Sequence, residues 1–326
     1  MDHSCRFVYV NGQYVPEQEA KISIFDSALM FGDMVFEMTR SFRKVQFKLR
    51  EHLERLYAGI KILRIPLKMS MEELETHCYE TIRRNEPAFL SSDEHRLMIN
   101  VSRGPLGIYA EVFGGRLEPT VIIADFPLKW TVAGMGPLFD TGINAVIPSQ
   151  RAIPASLLDP KIKNRSRLFY QMANIEISEY KGDNNWALLL DPDGYIAEGT
   201  GDNFFIVKQD RIVTPTGHNI LRGISRGYIF ELAQQLKISC SERDIEPYDV
   251  YTADEAFMTG TPFCILPVTS LNRVTIGSGL MGPVTRQLME QWSENVGLDI
   301  MKQIKEYSVE VSDLLKETAT PYQFKK

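Results

Sequence analysis

After Phe126-Pro127 the chain stops alternating between apolar and polar residues and turns to glycine and proline, through Gly134-Met135-Gly136-Pro137. A stretch of that texture holds neither a strand nor a helix, and it reads as a linker between domains. Strand and helix patterns lie on both sides of it, so the 326 residues divide into two α+β halves, each long enough to bury a core. The expected organisation is a small α/β domain over residues 1–126, a linker over 127–138 and a larger, sheet-rich domain over 139–326.

The elements follow from local chemistry. Phe7 to Val15 reads as a hairpin around an Asn11-Gly12 turn, and Val35 to Phe47 as a second hairpin breaking at Phe42-Arg43-Lys44. Leu53, Leu56, Ile60 and Leu63 recur at spacings of three and four, which predicts an amphipathic helix over 51–63 that ends before Pro66. Ser70 and Glu73 form a capping-box signature for a helix over 70–84. Leu97–Val101 and Val121–Ala124 read as buried strands. Downstream, a helix is expected over 167–180 with Leu168, Met172 and Ile175 on one side, then a meander of short strands between 186 and 214. Helices over 225–236 and 283–292 and a strand over 254–259 complete the pattern.

Composition excludes several classes. A net charge of −6 and a pI near 5.5 leave no basic footprint for nucleic acid. No run approaches the roughly 20 apolar residues of a membrane span, and Met1 to Cys5 lacks the pattern of a signal peptide. Cys5, Cys78, Cys240 and Cys264 are scattered without metal-ligand spacing, so no metal site is indicated and reduced thiols in the cytoplasm are expected. The last residues, 318–326, read as a polar tail.

Five stretches carry candidate chemistry. Lys163 lies in Pro160-Lys161-Ile162-Lys163-Asn164-Arg165-Ser166-Arg167, where neighbouring cations could lower an amine's pKa and make it nucleophilic; alone, the stretch reads more readily as a solvated basic turn. Gly223-Ile224-Ser225 opens a helix, so backbone N–H groups, a hydroxyl and the helix dipole converge as in a phosphate cup, or as in an ordinary cap. Thr259-Gly260-Thr261-Pro262 offers hydroxyls where the backbone can approach a ligand. Glu198 stands between Ala197 and two glycines, a setting for a buried, paired carboxylate. Arg55 flanks the helical stripe.

Taken in order, Ser27 to Glu37, Glu51 to Leu56, Ile153-Pro154 followed by Lys163, Gly194 to Gly199, Gly223 to Arg226, and Gly260-Thr261 followed by Leu266-Pro267-Val268 resemble the fold-type IV pyridoxal-phosphate aminotransferases. This is the class IV family of branched-chain amino acid aminotransferases, D-amino acid aminotransferases, (R)-amine transaminases and aminodeoxychorismate lyases. The resemblance implies a two-domain α+β fold with pyridoxal 5'-phosphate between the domains. It implies that Lys163 forms the Schiff base and moves the proton at the substrate carbon. By the same resemblance Glu198 pairs with the pyridine nitrogen, and Arg55, Ile224, Ser225 and Thr261 hold the phosphate. Phe31 and Phe36 would line the substrate side, and Thr261 and Pro262 would meet the substrate, while Arg40, Arg96 and Arg103 are candidate carboxylate partners because guanidinium recognises a carboxylate bidentately. The loop from Arg103 to Arg116, with Leu106, Ile108, Tyr109 and Val112, is apolar enough to accept an aliphatic side chain.

The reaction implied is a ping-pong transfer from a hydrophobic, branched-chain-like L-amino acid to 2-oxoglutarate, in a homodimer. Lys161, the rival amine, misses the family register. Where the family has asparagine and, in many branched-chain enzymes, tyrosine, this chain has Ser166 and Arg167. Arginine at that position is similar to the lyases, but the lyase threonine is Met38 here, with Thr39 adjacent, whereas Phe36-Glu37 matches the branched-chain enzymes. D-amino acid or (R)-amine transamination, the lyase, and a turnover-inactive cofactor-binding module stay open at this point.

Overall fold

The computed structural model describes residues 5–182 and 184–311, so the expected tail lies outside the described residues. The chain forms two compact units: residues 1–128 with 162–167, and residues 129–161 with 168–326.

In the first unit a five-stranded antiparallel sheet runs in the order Gln13–Pro16, Phe7–Val10, Thr120–Pro127, His95–Ser102, Met34–Met38. The Asn11-Gly12 hairpin forms as expected, with both turn residues at positive φ, where asparagine and glycine are tolerated best. The second expected hairpin is smaller than its pattern suggests. Only Ser41–Phe42 and Val45–Gln46 pair around Arg43-Lys44, while Met34–Met38 joins the main sheet beside His95–Ser102. Strand alternation sends Val35, Leu97, Ile99, Val101 and Ile123 to one face. There they pack under the helices Leu49–Ile62, through Leu53, Leu56 and Ile60, and Met71–Asn85, through Leu74 and Cys78. Burial of each large side chain contributes about 1.5–3 kcal/mol. The Ser70/Glu73 capping box is present.

The opposite face of this sheet carries Phe36, Met38, Arg96, Met98 and Asn100, placed side by side by the pairs Phe36↔Asn100 and Met38↔Met98. Ile162–Arg167 belongs to this unit because it adds to the sheet's edge strand. Phe36 N donates to the Lys163 carbonyl at 3.0 Å, and Val35 bridges Asn164.

In the second unit nine strands form one sheet whose main path is Ile196–Gly199, Asn185–Leu190, Ile143–Val146, Cys264–Leu271, Glu255–Gly260, Asn203–Lys208, Arg211–Thr214, Cys240–Glu242, with Val274–Thr275 beside Cys264–Leu271. The expected meander closes on itself. Ile196–Gly199 also pairs with Asn203–Lys208 through Glu198↔Asn203, so six of the strands make a ring closed at Glu198. Among the elements absent from the sequence reading are the strand Cys264–Leu271, whose central Pro267 argues against a strand, and the helix Ile300–Glu310. Residues 129–138, read as linker, carry short helices starting at Lys129 and Leu138, with Val132, Met135 and Leu138 buried. Lys129 Nζ meets Glu310 at 2.6 Å. No helix among the described residues is long and apolar enough to cross a membrane.

Candidate active site

In the first unit, the backbone bond to Phe36 fixes Lys163 beside the sheet face opposite the one packed under the two helices, and its Nζ lies 4.8 Å from the Phe36 ring centroid. Arg165 stacks on the same ring at 3.6 Å, and Arg167 reaches it at 5.1 Å. Lys161 belongs to the second unit, where Asp159 at 2.8 Å and the His218 carbonyl at 3.1 Å engage its amine.

Arg55 projects from the helix Leu49–Ile62 onto Glu37 of the neighbouring strand. Its Nε and Nη2 donate to the two Glu37 oxygens at 2.6 and 2.8 Å, and His52 Nδ1 donates to the second oxygen at 2.7 Å. Glu37 is wholly buried. Burial opposes its charge, but the Arg55 guanidinium and the hydrogen bonds from His52 and Arg55 outweigh that and hold the carboxyl well below the usual range. Burial in turn pushes His52 below its ordinary value, against the pull of Glu37. The result is a guanidinium locked in one orientation by a fork of hydrogen bonds.

The other arginines differ. Arg103 is committed to structure, bonded to Asp33 and to the carbonyls of Leu63 and Arg64. Arg40 is buried, stacked on Phe42 and donating to the Ser41 carbonyl. Arg96 is buried beside Met38 with Nε and Nη1 lacking a hydrogen-bond partner, and burial together with the charge of Arg40 pushes it down to about 9. Phe36 is buried, whereas Phe31 is exposed at the end of a short helix.

In the second unit, Glu198 is buried and held at both oxygens. Oε1 accepts from Tyr170 Oη at 2.8 Å; Oε2 accepts from Asn203 Nδ2 at 3.1 Å and from Leu221 N at 3.0 Å. Asn203 also donates to the Leu221 carbonyl, and its Oδ1 lies 2.2 Å from where a Cβ on Gly223 would stand, so the close approach demands glycine there. One asparagine therefore ties the carboxylate to the start of the helix Ile224–Leu236, which has no side-chain cap. Its first turn directs the N–H groups of Ile224 and Ser225 outward with the positive end of the helix dipole. Thr261 and Pro262, both half-buried, follow the strand Glu255–Gly260, whose Thr259 pairs with Asn203 and has a buried hydroxyl without a hydrogen-bond partner. Tyr170 was not among the residues expected from sequence. It lies on the buried side of the helix Leu168–Ser178, while the stripe of Leu168, Met172 and Ile175 is exposed.

The family model described as amino-transferase class IV matches residues 34–271. The chain belongs to the class IV aminotransferases. It is 36% identical to a putative branched-chain-amino-acid aminotransferase of Methanocaldococcus jannaschii over 88% of this chain and 95% of that one. It is 33% identical to the branched-chain-amino-acid aminotransferase of Escherichia coli strain K12 over 87% of this chain and 91% of that one. The crystal structure of the Escherichia coli enzyme superposes with a TM-score of 0.80 at 30% identity, covering 90% and 95% of the two chains. That of the branched-chain aminotransferase from the thermophilic archaeon Thermoproteus uzoniensis with norvaline gives 0.75 at 28% identity, covering 93% and 97%. As a class IV aminotransferase the chain uses pyridoxal 5'-phosphate, which the uncapped helix, the locked Arg55 and the anchored Glu198 fit.

Glu37 gives the first test of that fit. Glu37→Gln is expected to weaken pyridoxal phosphate binding about 10-fold, the usual scale for losing a group that orients a ligand's partner, while affinity for pyridoxal, which lacks the phosphate, stays unchanged. Absorbance titration of the apoprotein with both ligands measures this, and an equal loss for both would assign Glu37 to folding alone.

Proposed function

We propose that this aminotransferase moves the amino group of a hydrophobic, branched-chain L-amino acid to 2-oxoglutarate in two half-reactions. The observation that carries the reading is that the similar proteins found by sequence and by structure, the Escherichia coli enzyme among them, are branched-chain aminotransferases over nearly the whole chain.

Pyridoxal phosphate, when bound, supplies the carbonyl that condenses with amines and the ring that takes up the electrons of a broken C–H bond. Lys163 would hold the cofactor and then move the proton at the substrate carbon. Glu198, anchored by three donors, would keep the ring nitrogen's proton in place. Arg55, with Ile224 and Ser225 through backbone N–H groups and Thr261, would bind the phosphate. Phe36 would face the substrate, with Arg96 and Arg40 as carboxylate partners and Thr261-Pro262 bounding the pocket. The lyase reading weakens on one bond: Thr39, the hydroxyl nearest the lyase position, donates to Gln46 Oε1 at 2.5 Å and is committed to structure.

We also infer a homodimer in the cytoplasm. Exposed apolar side chains support a second copy: Leu168 and Met172 in one unit, Ile24, Leu29 and Ile108 in the other. Cys5, Cys78 and Cys240 are thiols, in keeping with a reducing compartment.

The test is a panel of donors. Holoenzyme should show an absorbance band at the visible edge that bleaches with L-leucine, L-isoleucine or L-valine and returns with 2-oxoglutarate. Bleaching by D-alanine or (R)-phenylethylamine in preference to the L-amino acids would overturn the substrate assignment.

A further inference from the structure

Arg226 closes the motif Gly223-Ile224-Ser225-Arg226. It is the third residue of the helix Ile224–Leu236, in the same turn as the two N–H groups assigned to the phosphate, and it is buried. Its Nη2 donates to the Pro215 carbonyl at 2.9 Å and to Glu242 Oε1 at 2.7 Å. Those acceptors stand together because the strands Arg211–Thr214 and Cys240–Glu242 run parallel, with Thr214 opposite Glu242. The chain beyond both strands is cross-tied: Arg243 N donates to the Thr214 carbonyl at 3.1 Å, and Thr216 Oγ1 to Asp244 Oδ1 at 3.0 Å. The guanidinium therefore fastens the helix start to a braced pair of strand ends.

A helix start that binds an anion has to be held from outside. Its first N–H groups have no carbonyl within the helix to bond, and the side-chain cap that commonly steadies such a turn is absent at Gly223. The point where a Gly223 Cβ would stand lies 2.2 Å from Asn203 Oδ1 and 3.3 Å from Arg226 Cβ, so the turn is gripped between these two side chains. As a source of stability alone the ion pair is a poor one. Among the described residues Arg226 Nε is buried without a hydrogen-bond partner, and desolvation offsets most of what a buried pair gains. What the pair supplies is direction, since its charge is already matched by Glu242.

We infer that Arg226 is a positioning residue for cofactor binding: by tying the helix start to Pro215 and Glu242, it holds the Ile224 and Ser225 N–H groups in the pose that takes the phosphate. The inference rests on the phosphate contacts assigned under the proposed function.

The experiment titrates apoprotein with pyridoxal phosphate and with pyridoxal, which lacks the phosphate, following the absorbance of each. Arg226→Gln should bind pyridoxal phosphate about 10-fold more weakly, the usual scale for losing a group that orients a ligand's partner, with its affinity for pyridoxal unchanged. Arg226→Lys keeps a cation for Glu242 and guards against misfolding; its ratio of the two affinities should fall in the same direction, by less. Glu242→Gln still offers Nη2 an oxygen and leaves the Pro215 bond intact, so both affinities should stay near wild type. Equal loss of both ligands in the arginine variants, or no loss in either variant, overturns the inference. So does a Glu242→Gln protein that binds pyridoxal phosphate more tightly than wild type, because the freed cation would then be acting on the phosphate through its charge. If wild type binds pyridoxal as tightly as pyridoxal phosphate, the phosphate assignment itself has failed, a result distinct from all of these.

Discussion

Lys163→Ala is expected to lower transamination by at least about 10³-fold and to remove the visible-edge band of the lysine-bound cofactor, without unfolding the protein. The reason for expecting a chemical defect alone is the way the residue is held. The peptide at position 163 is fixed by its carbonyl, which accepts from Phe36 N, and by the bridge between Val35 and Asn164. Both contacts are main-chain and survive truncation of the side chain. What disappears is an amine over Phe36, and with it the only proton carrier the proposed mechanism places at the substrate carbon. Lys161→Ala is the matched control: its amine is spent on Asp159 and the His218 carbonyl, so activity should remain near wild type. Turnover and absorbance spectra of both variants, beside their melting temperatures, decide the matter. A Lys163→Ala protein that still turns over, or a dead Lys161→Ala protein, would reverse the assignment.

The choice between two lysines in one turn was drawn in the sequence only through resemblance. Other features were local and could be read directly. The Ser70/Glu73 box, the Asn11-Gly12 turn and the stripe of Leu53, Leu56 and Ile60 depend on neighbours within a few positions, where propensity and periodicity speak. The features that escaped have distant partners. Glu37 becomes the mate of Arg55 only once a helix packs on the strand. Asn100 meets Arg165 only because two strands pair and a later segment returns to their edge. Residues 129–138 read as linker because their partner, the helix Ile300–Glu310, lies far down the chain. Pro267 concealed a central strand, since its missing N–H is a cost that only the pairing with Phe257 reveals to be tolerated. In the helix Leu168–Ser178 the apolar stripe marks the exposed side, and Tyr170, with its hydroxyl on Glu198, sits on the other.

Glu198→Gln is expected to reduce kcat about 10²- to 10³-fold, the scale of losing one preorganised electrostatic group in an active site, with folding and cofactor stoichiometry retained. Glutamine suits the test because the site can satisfy it. Its oxygen can accept from Asn203 Nδ2 and Leu221 N as Oε2 does now, and its amide can donate to the Tyr170 hydroxyl, which is able to accept as well as donate. Alanine would instead remove the acceptor of three hydrogen bonds and confound chemistry with stability. The neighbouring Asp202 provides an internal check on charge. Burial and the nearby Glu198 push its carboxyl up to about 8, so it carries its proton at neutral pH and gives it up only in the alkaline range. A group whose folded pKa stands above its unfolded value favours folding while protonated, so its contribution to stability declines as pH rises from about 4 towards 8. Removing the charge of Glu198 lowers that folded pKa, and the decline in the melting temperature of Glu198→Gln should accordingly level off at lower pH than in wild type. Loss of turnover together with this shift would show that position 198 acts through its negative charge. Full turnover in Glu198→Gln would mean that the ring nitrogen needs no anionic partner in this enzyme.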